Sequence, residues 1–184
     1  MHKNLVEITP DKHNVVLDLR YATANNVCGI KMYKQARCFL HFEAEKKLAE
    51  AIKIAALQNL KFKIFDGLRP MQVQKFMYEK FSGDFISNPQ TGSTPHCRGV
   101  AIDLTLIDVN GNELEMGSDF DEFSELAYHN CKKISAEAKK NRLLLFDIMQ
   151  EAGFDFYSKE WWHYQLFEPR KYPIVKVADL SYVG

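Results

Sequence analysis

The chain has 184 residues, 46% hydrophobic and 26% charged, the balance of a globular protein with room for one good core. Its 24 Lys and Arg match its 24 Asp and Glu, and no basic stripe is interleaved with aromatics, which argues against a nucleic-acid partner. No apolar run approaches the length of a membrane span, so a membrane partner is not expected either, and a single domain over residues 1–184 is.

Met1 to Glu7 lacks the apolar core of a signal peptide, and Cys28, Cys38, Cys97 and Cys131 form no CxxC pair. Free thiols and a cytoplasmic location are therefore expected. The first forty residues read as irregular, with Asn14 to Arg20 as one extended piece. From about Phe39 to Leu57, Leu40, Ala44, Leu48, Ala51, Ile52 and Ala55 recur at helical spacing. Lys61 to Phe65 alternates as a strand does, and Asp66-Gly67 ends it. Pro70 suits the opening of a helix over 71–81.

Val100 to Leu106 is the clearest strand, with Ile102, Leu104 and Leu106 on one face and Ala101, Asp103 and Thr105 on the other. Asn110-Gly111 is a strong hairpin signal and predicts a returning strand from Glu113 to Met116. A long helix spans about Ser135 to Glu151, stopped by Gly153. Phe154 to Tyr157 and Trp161 to Phe167 read as two last strands. Helices and antiparallel strands segregated in this way predict an α+β domain.

Two stretches carry the chemistry: S-T-P-H-C-R-G-V-A-I-D from Ser93 to Asp103, and E-W-W-H from Glu160 to His163. Two His and one Asp can make an open zinc site with a fourth position left for water, and Glu160 is a spare carboxylate that can act as base. His96 and Asp103 are seven residues apart, an odd number, so on one regular strand they would face opposite ways. They share a metal only if His96 sits on a turn before the strand, a break that Pro95 and Gly99 favour. Glu160 would lie on the approach to a strand bearing His163. The helical H-E-x-x-H motif is absent.

Each residue also has a plainer reading. His96 could be a hydrogen-bonded surface residue, Asp103 a loop cap, Arg69 a partner for Asp66, and Asp121 part of a solvated acidic face. Cys97 is a rival ligand or, with His163 as base, a rival nucleophile, but adjacent side chains on extended backbone diverge, and the sequence gives no support for the lowered pKa a nucleophile needs. His2, His13, His41 and His129 share no ligand spacing and read as structural or surface residues.

In combination, D-L-R-Y-A-T near residue 20, F-D-G-L-R-P around Arg69, H-C-R-G-V-A-I-D-L-T-L, M-G-S-D-F-D near residue 120 and E-W-W-H-Y resemble the zinc D-alanyl-D-alanine dipeptidases (VanX-type), within the larger group of zinc D,D-peptidases. The resemblance implies a central antiparallel sheet flanked by helices, the hedgehog/D,D-peptidase-like fold. It implies one zinc on His96, Asp103 and His163, with Glu160 as catalytic base and Arg69 steadying the transition state. Asp121 matches the position that pairs with the substrate ammonium, Ser93 and Thr94 the hydroxyls that meet its carboxylate, and Tyr21 a pocket-lining position. The implied substrate is a D,D-dipeptide. The alternative is a zinc D,D-carboxypeptidase or endopeptidase acting on longer peptidoglycan peptides. Family members are often dimeric or larger, so a homo-oligomer is the protein partner implied. The chain departs from the usual pattern in having Thr94 for Ser, Pro95 for a small polar residue, and a shorter stretch between Arg69 and His96.

Overall fold

The computed structural model describes residues 4–81 and 83–176, so His2 lies outside the described residues. In chain order it contains β1 (Leu5–Ile8), a one-turn α1 (Pro10–His13), β2 (Val16–Leu17), β3 (Cys38–His41), α2 (Phe42–Ala56), β4 (Lys61–Asp66) and α3 (Met71–Lys80). Then come β5 (Ala101–Ile107), α4 (Ala136–Glu151), β6 (Asp155–Phe156) and β7 (His163–Gln165). None of the described helices is long and apolar enough to cross a membrane. All four cysteines are free.

The helix expected from Phe39 begins at Phe42 instead. Residues 38–41 pair antiparallel with β1, in the register Leu5↔His41 to Ile8↔Cys38. His41 then caps α2, its Nδ1 accepting from the Glu43 N–H at 3.3 Å. From there the expected stripe holds, with Ala44, Leu48, Ala51 and Ala55 buried against the core. α4 follows the same logic: Ser135 Oγ accepts from the Ala138 N–H at 2.9 Å, and Leu145, Ile148 and Met149 turn inward.

The main sheet has the order β2-β4-β5-β7-β6. The resemblance implied an antiparallel sheet, and this one is mixed, because β2 runs parallel to β4 with Val16↔Lys63 and Leu17↔Ile64. Between them the chain traverses β3 and α2, a crossover long enough to return a strand in the same direction. The remaining pairs are antiparallel. β5 lies in the middle, buried along its whole length, with neighbours on both edges.

The hairpin after β5 is also shorter than expected. Asp108 gathers the Asn110 and Asn112 N–H groups onto Oδ1, and the return is one bridge, Ile107↔Glu113, with the Leu114 N–H donating to Leu106 O at 3.0 Å. The carbonyls that would extend the ladder are taken elsewhere: Asn141 donates to Glu115 O at 2.9 Å, and Arg142 Nε to Met116 O at 2.5 Å. α4 therefore competes with β5 for residues 115–116 and wins.

Candidate metal centre and its cavity

Strand register assembles the site. Asp103 on β5 is the Cα partner of His163 on β7 and of Asp66 on β4, so three polar residues lie in one row across three strands. On β4 this depends on an irregularity. The ladder pairs Lys61–Ile64 regularly with Ile107–Leu104 and would next set Phe65 against Asp103. A bulge between Ile64 and Asp66 brings Asp66 there instead.

His96 arrives from outside the strand, on a 3₁₀ turn of residues His96–Arg98. Gly99 ends that turn at φ 68°, where a Cβ would also come within 3.2 Å of the His41 nitrogen. The break expected between His96 and β5 is thus a left-handed residue packed against β3. Glu160 precedes His163 on the turn joining β6 and β7, whose Glu160 N–H bonds to Tyr157 O at 3.1 Å and His163 N–H to Glu160 O at 3.2 Å.

The contacts among these side chains are short. His96 Nε2 lies 3.2 Å from Asp103 Oδ1 and 3.1 Å from His163 Nδ1, which is itself 3.0 Å from Asp103 Oδ1. The outer ring nitrogens are occupied: His96 Nδ1–H donates to Gly67 O at 2.7 Å and His163 Nε2–H to Gln165 Oε1 at 3.0 Å. A neutral imidazole has one N–H, so both inner nitrogens present lone pairs toward a carboxylate oxygen. Three converging lone pairs repel unless a cation sits among them. Two His nitrogens and one carboxylate oxygen are a donor set suited to zinc, with a position left open. Gly67 is needed for this, since a Cβ there would stand 2.8 Å from Cys38 Sγ and 3.0 Å from Phe39 O.

Burial alone would raise the Asp103 carboxyl, but positive charge at this point, that of the His96 and His163 rings when protonated, outweighs it and holds Asp103 below the usual carboxylate range. Glu160 lies outside the triad, its Oε2 3.8 Å from His163 Nδ1. Burial pushes its carboxyl up to about 8.

Arg69 is held on three sides. Its Nε donates to Asp66 Oδ2 at 2.9 Å, Nη1 to Gln74 Oε1 at 3.2 Å and Nη2 to Asp103 Oδ2 at 3.4 Å. The partnership with Asp66 is therefore real, and it aims the fork. Asp66 is fixed in turn by the Tyr33 hydroxyl at 2.7 Å.

Tyr21 is fully buried, with Arg69 4.9 Å above its ring, and its hydroxyl donates to both Asp121 oxygens at 3.0 and 2.9 Å. Asp121 stands at φ 61°, half-buried with both oxygens on the Tyr21 hydroxyl, and desolvation pushes its carboxyl up to about 7. The triad, Glu160, Arg69, Asp121, Tyr21 and Ser93 all line one cavity of about 190 Å³. Thr94 is buried at φ 43°, a strained backbone for a β-branched residue, and is not among the lining residues. Cys97 does not line the cavity either, and burial pushes its thiol up to about 12, which leaves it inert.

The other described histidines are engaged elsewhere: His13 Nε2 lies 3.3 Å from Glu45, His41 caps α2, and His129 packs on Phe146 and Phe156. Sequence reasoning missed Gln165, Gln74 and Tyr157 as lining residues. Gln165 was within reach of the strand period, two residues past His163 and hence on its face. Gln74 and Tyr157 carried no local signal.

Residues 1–177 match the peptidase family described as D-ala-D-ala dipeptidase. The chain is 40% identical over 173 residues to the D-alanyl-D-alanine dipeptidase of Escherichia coli, covering 94% of this chain and 88% of that protein. It is 34% identical over 179 residues to the D-alanyl-D-alanine dipeptidase of Enterococcus faecium, at 84% and 87% coverage. Its identity with that of Enterococcus faecalis is 31% over 177 residues, at 85% and 88% coverage. With a three-ligand cluster of the right chemistry inside a match that spans nearly the whole sequence, the chain belongs to the D-ala-D-ala dipeptidase family of metallopeptidases.

Proposed function

We propose that this chain is a zinc-dependent dipeptidase that hydrolyses D-alanyl-D-alanine to two D-alanines. The observation that carries the reading is one small cavity holding the His96–Asp103–His163 triad, Glu160, Arg69 and the half-buried Asp121 together. At about 190 Å³ it falls below the roughly 300–1,000 Å³ of pockets for drug-sized ligands, in keeping with a dipeptide. His96, Asp103 and His163 would hold the zinc, which when bound would supply Lewis acidity for the scissile carbonyl and for ionisation of water near neutral pH.

The chain's own residues do the rest. Glu160 takes the proton of the attacking water and returns it to the departing amine as the C–N bond breaks. Its high pKa suits it to both directions of transfer. Arg69 has spent three of its five N–H groups on Asp66, Gln74 and Asp103, which leaves one on each terminal nitrogen for the carbonyl oxygen as it gains charge. Asp121, oriented by Tyr21, pairs with the free ammonium of the substrate, and Ser93 offers polar contact at the wall. Thr94 acts by shaping the turn before His96. Four free thiols accord with a reducing, cytoplasmic setting. We read the whole chain as one catalytic domain.

The test is release of D-alanine from D-Ala-D-Ala by zinc-loaded protein, with N-acetyl-D-Ala-D-Ala and L-Ala-L-Ala in parallel. Turnover of the free D,D-dipeptide alone supports the reading. Equal cleavage of the acetylated substrate moves the protein to the carboxypeptidase class, and no turnover of any of them overturns the reading.

Asp121 makes a pH prediction. Its raised carboxyl is charged above about 7 and neutral below, so attraction for an ammonium is lost as the pH falls. The KM for D-Ala-D-Ala is expected to rise toward about tenfold per pH unit below that point, and Asp121→Asn to give a high KM with this limb absent. Steady-state kinetics between pH 5 and 8 check both.

A further inference from the structure

We propose that Gln165 is a positioning residue that fixes the tautomer of His163 and so sets the metal affinity of the centre. The inference rests on the triad reading above and adds to it a residue outside the ligand set.

The two histidines of the triad turn opposite nitrogens inward, His96 its Nε2 and His163 its Nδ1. Each therefore needs an acceptor on the other nitrogen, since the proton of a neutral imidazole goes where it is bonded. For His96 that acceptor is the Gly67 carbonyl at 2.7 Å, a backbone atom that no substitution removes. For His163 it is the Oε1 of Gln165 at 3.0 Å. The two residues share a face of β7, and β7 is held in register between β5 and β6, with Gln165 opposite Ala101 and Asp155. The amide is thus carried by the same rigid element as the ring it directs.

Without an acceptor at Nε2, His163 would be free to place its proton on Nδ1, where Asp103 Oδ1 waits 3.0 Å away. That tautomer satisfies Asp103 with a hydrogen bond and blocks the nitrogen that a metal needs. Gln165 removes the competing state. An amide does so without charge. Asp84, Asp103, Asp121 and Glu160 already bring four carboxylates to the cavity, and a further acidic side chain in the place of Gln165 would add to their repulsion.

The test is zinc affinity, measured by competition with a chromogenic chelator on wild-type protein, Gln165→Leu, Gln165→Glu and His163→Ala. Gln165→Leu is expected to bind zinc about 10–100-fold more weakly, the range for losing such an outer partner. Gln165→Glu, which keeps an acceptor, is expected to bind at least as tightly as wild type. Melting curves of the metal-free proteins establish that each is folded. Long-range ¹⁵N–¹H spectra of the metal-free protein then read the tautomer directly: His163 is expected to carry its proton on Nε2 in wild type and on Nδ1 in Gln165→Leu. A Gln165→Leu affinity within twofold of wild type, or an unchanged tautomer, overturns the inference. So does a Gln165→Glu variant as weak as Gln165→Leu. Unchanged affinity in His163→Ala would instead overturn the triad reading, so the two failures are told apart.

Discussion

Glu160→Gln is expected to lower kcat on D-Ala-D-Ala by about 10²–10⁴-fold, the usual worth of a positioned acid–base group, with zinc affinity nearly unchanged. The amide keeps the shape of the side chain but can neither accept nor return a proton. Zinc should remain because Glu160 stands outside the cluster formed by His96, Asp103 and His163. Kinetics and metal analysis on the same sample decide it, since loss of zinc together with activity would make Glu160 a ligand. The same burial supplies an independent readout. A carboxyl raised from 4.5 to about 8 favours the folded state fully below its unfolded pKa, and that contribution disappears as pH rises through 8. Glutamine carries no such charge. The metal-free variant should therefore melt higher than wild type at pH 9 and close to it at pH 4.5.

Arg69→Lys is expected to cost about 10²–10³-fold in kcat with a smaller change in KM, the pattern for an interaction made mainly in the transition state. Lysine preserves the charge and loses the geometry. Arg69 meets Asp66 through Nε at 2.9 Å and Gln74 and Asp103 through its two terminal nitrogens, and only a planar fork does this while keeping donors for a substrate oxygen. Lysine would settle on Asp66 as a point charge. Alanine is the less informative change, because it strands Asp66, which is 0% exposed, and removing one partner of a buried pair costs about 3–5 kcal/mol. A lysine variant with wild-type kcat would show that charge alone suffices and that Arg69 serves structure.

The helical stripes of α2 and α4 were legible because each is a short-range pattern imposed by one buried face, and the alternation along residues 101–106 because the two buried faces of β5 take different side chains, apolar on one and small or polar on the other. So was the turn at His96, from residue parity with Pro95 and Gly99 beside it. The β1–β3 ribbon was not, because its partners are 30 to 36 residues apart and nothing local marks their pairing. Nor was the loss of the Glu113 to Met116 strand, decided by Asn141 and Arg142 on a distant helix.

By itself the sequence determined the inventory of this protein: two histidines, two carboxylates and an arginine of suitable chemistry, and the side of each element on which they fall. Only the tertiary structure decided that they meet. The bulge at Phe65 turns Asp66 toward Asp103, and the β5–β7 register sets His163 opposite it. A one-residue slip in either ladder would send these side chains to the other face, and register is a property of two strands that neither strand encodes alone. The orientation of both imidazoles was decided the same way, by a carbonyl at Gly67 and an amide at Gln165 that only the folded chain brings within hydrogen-bond reach.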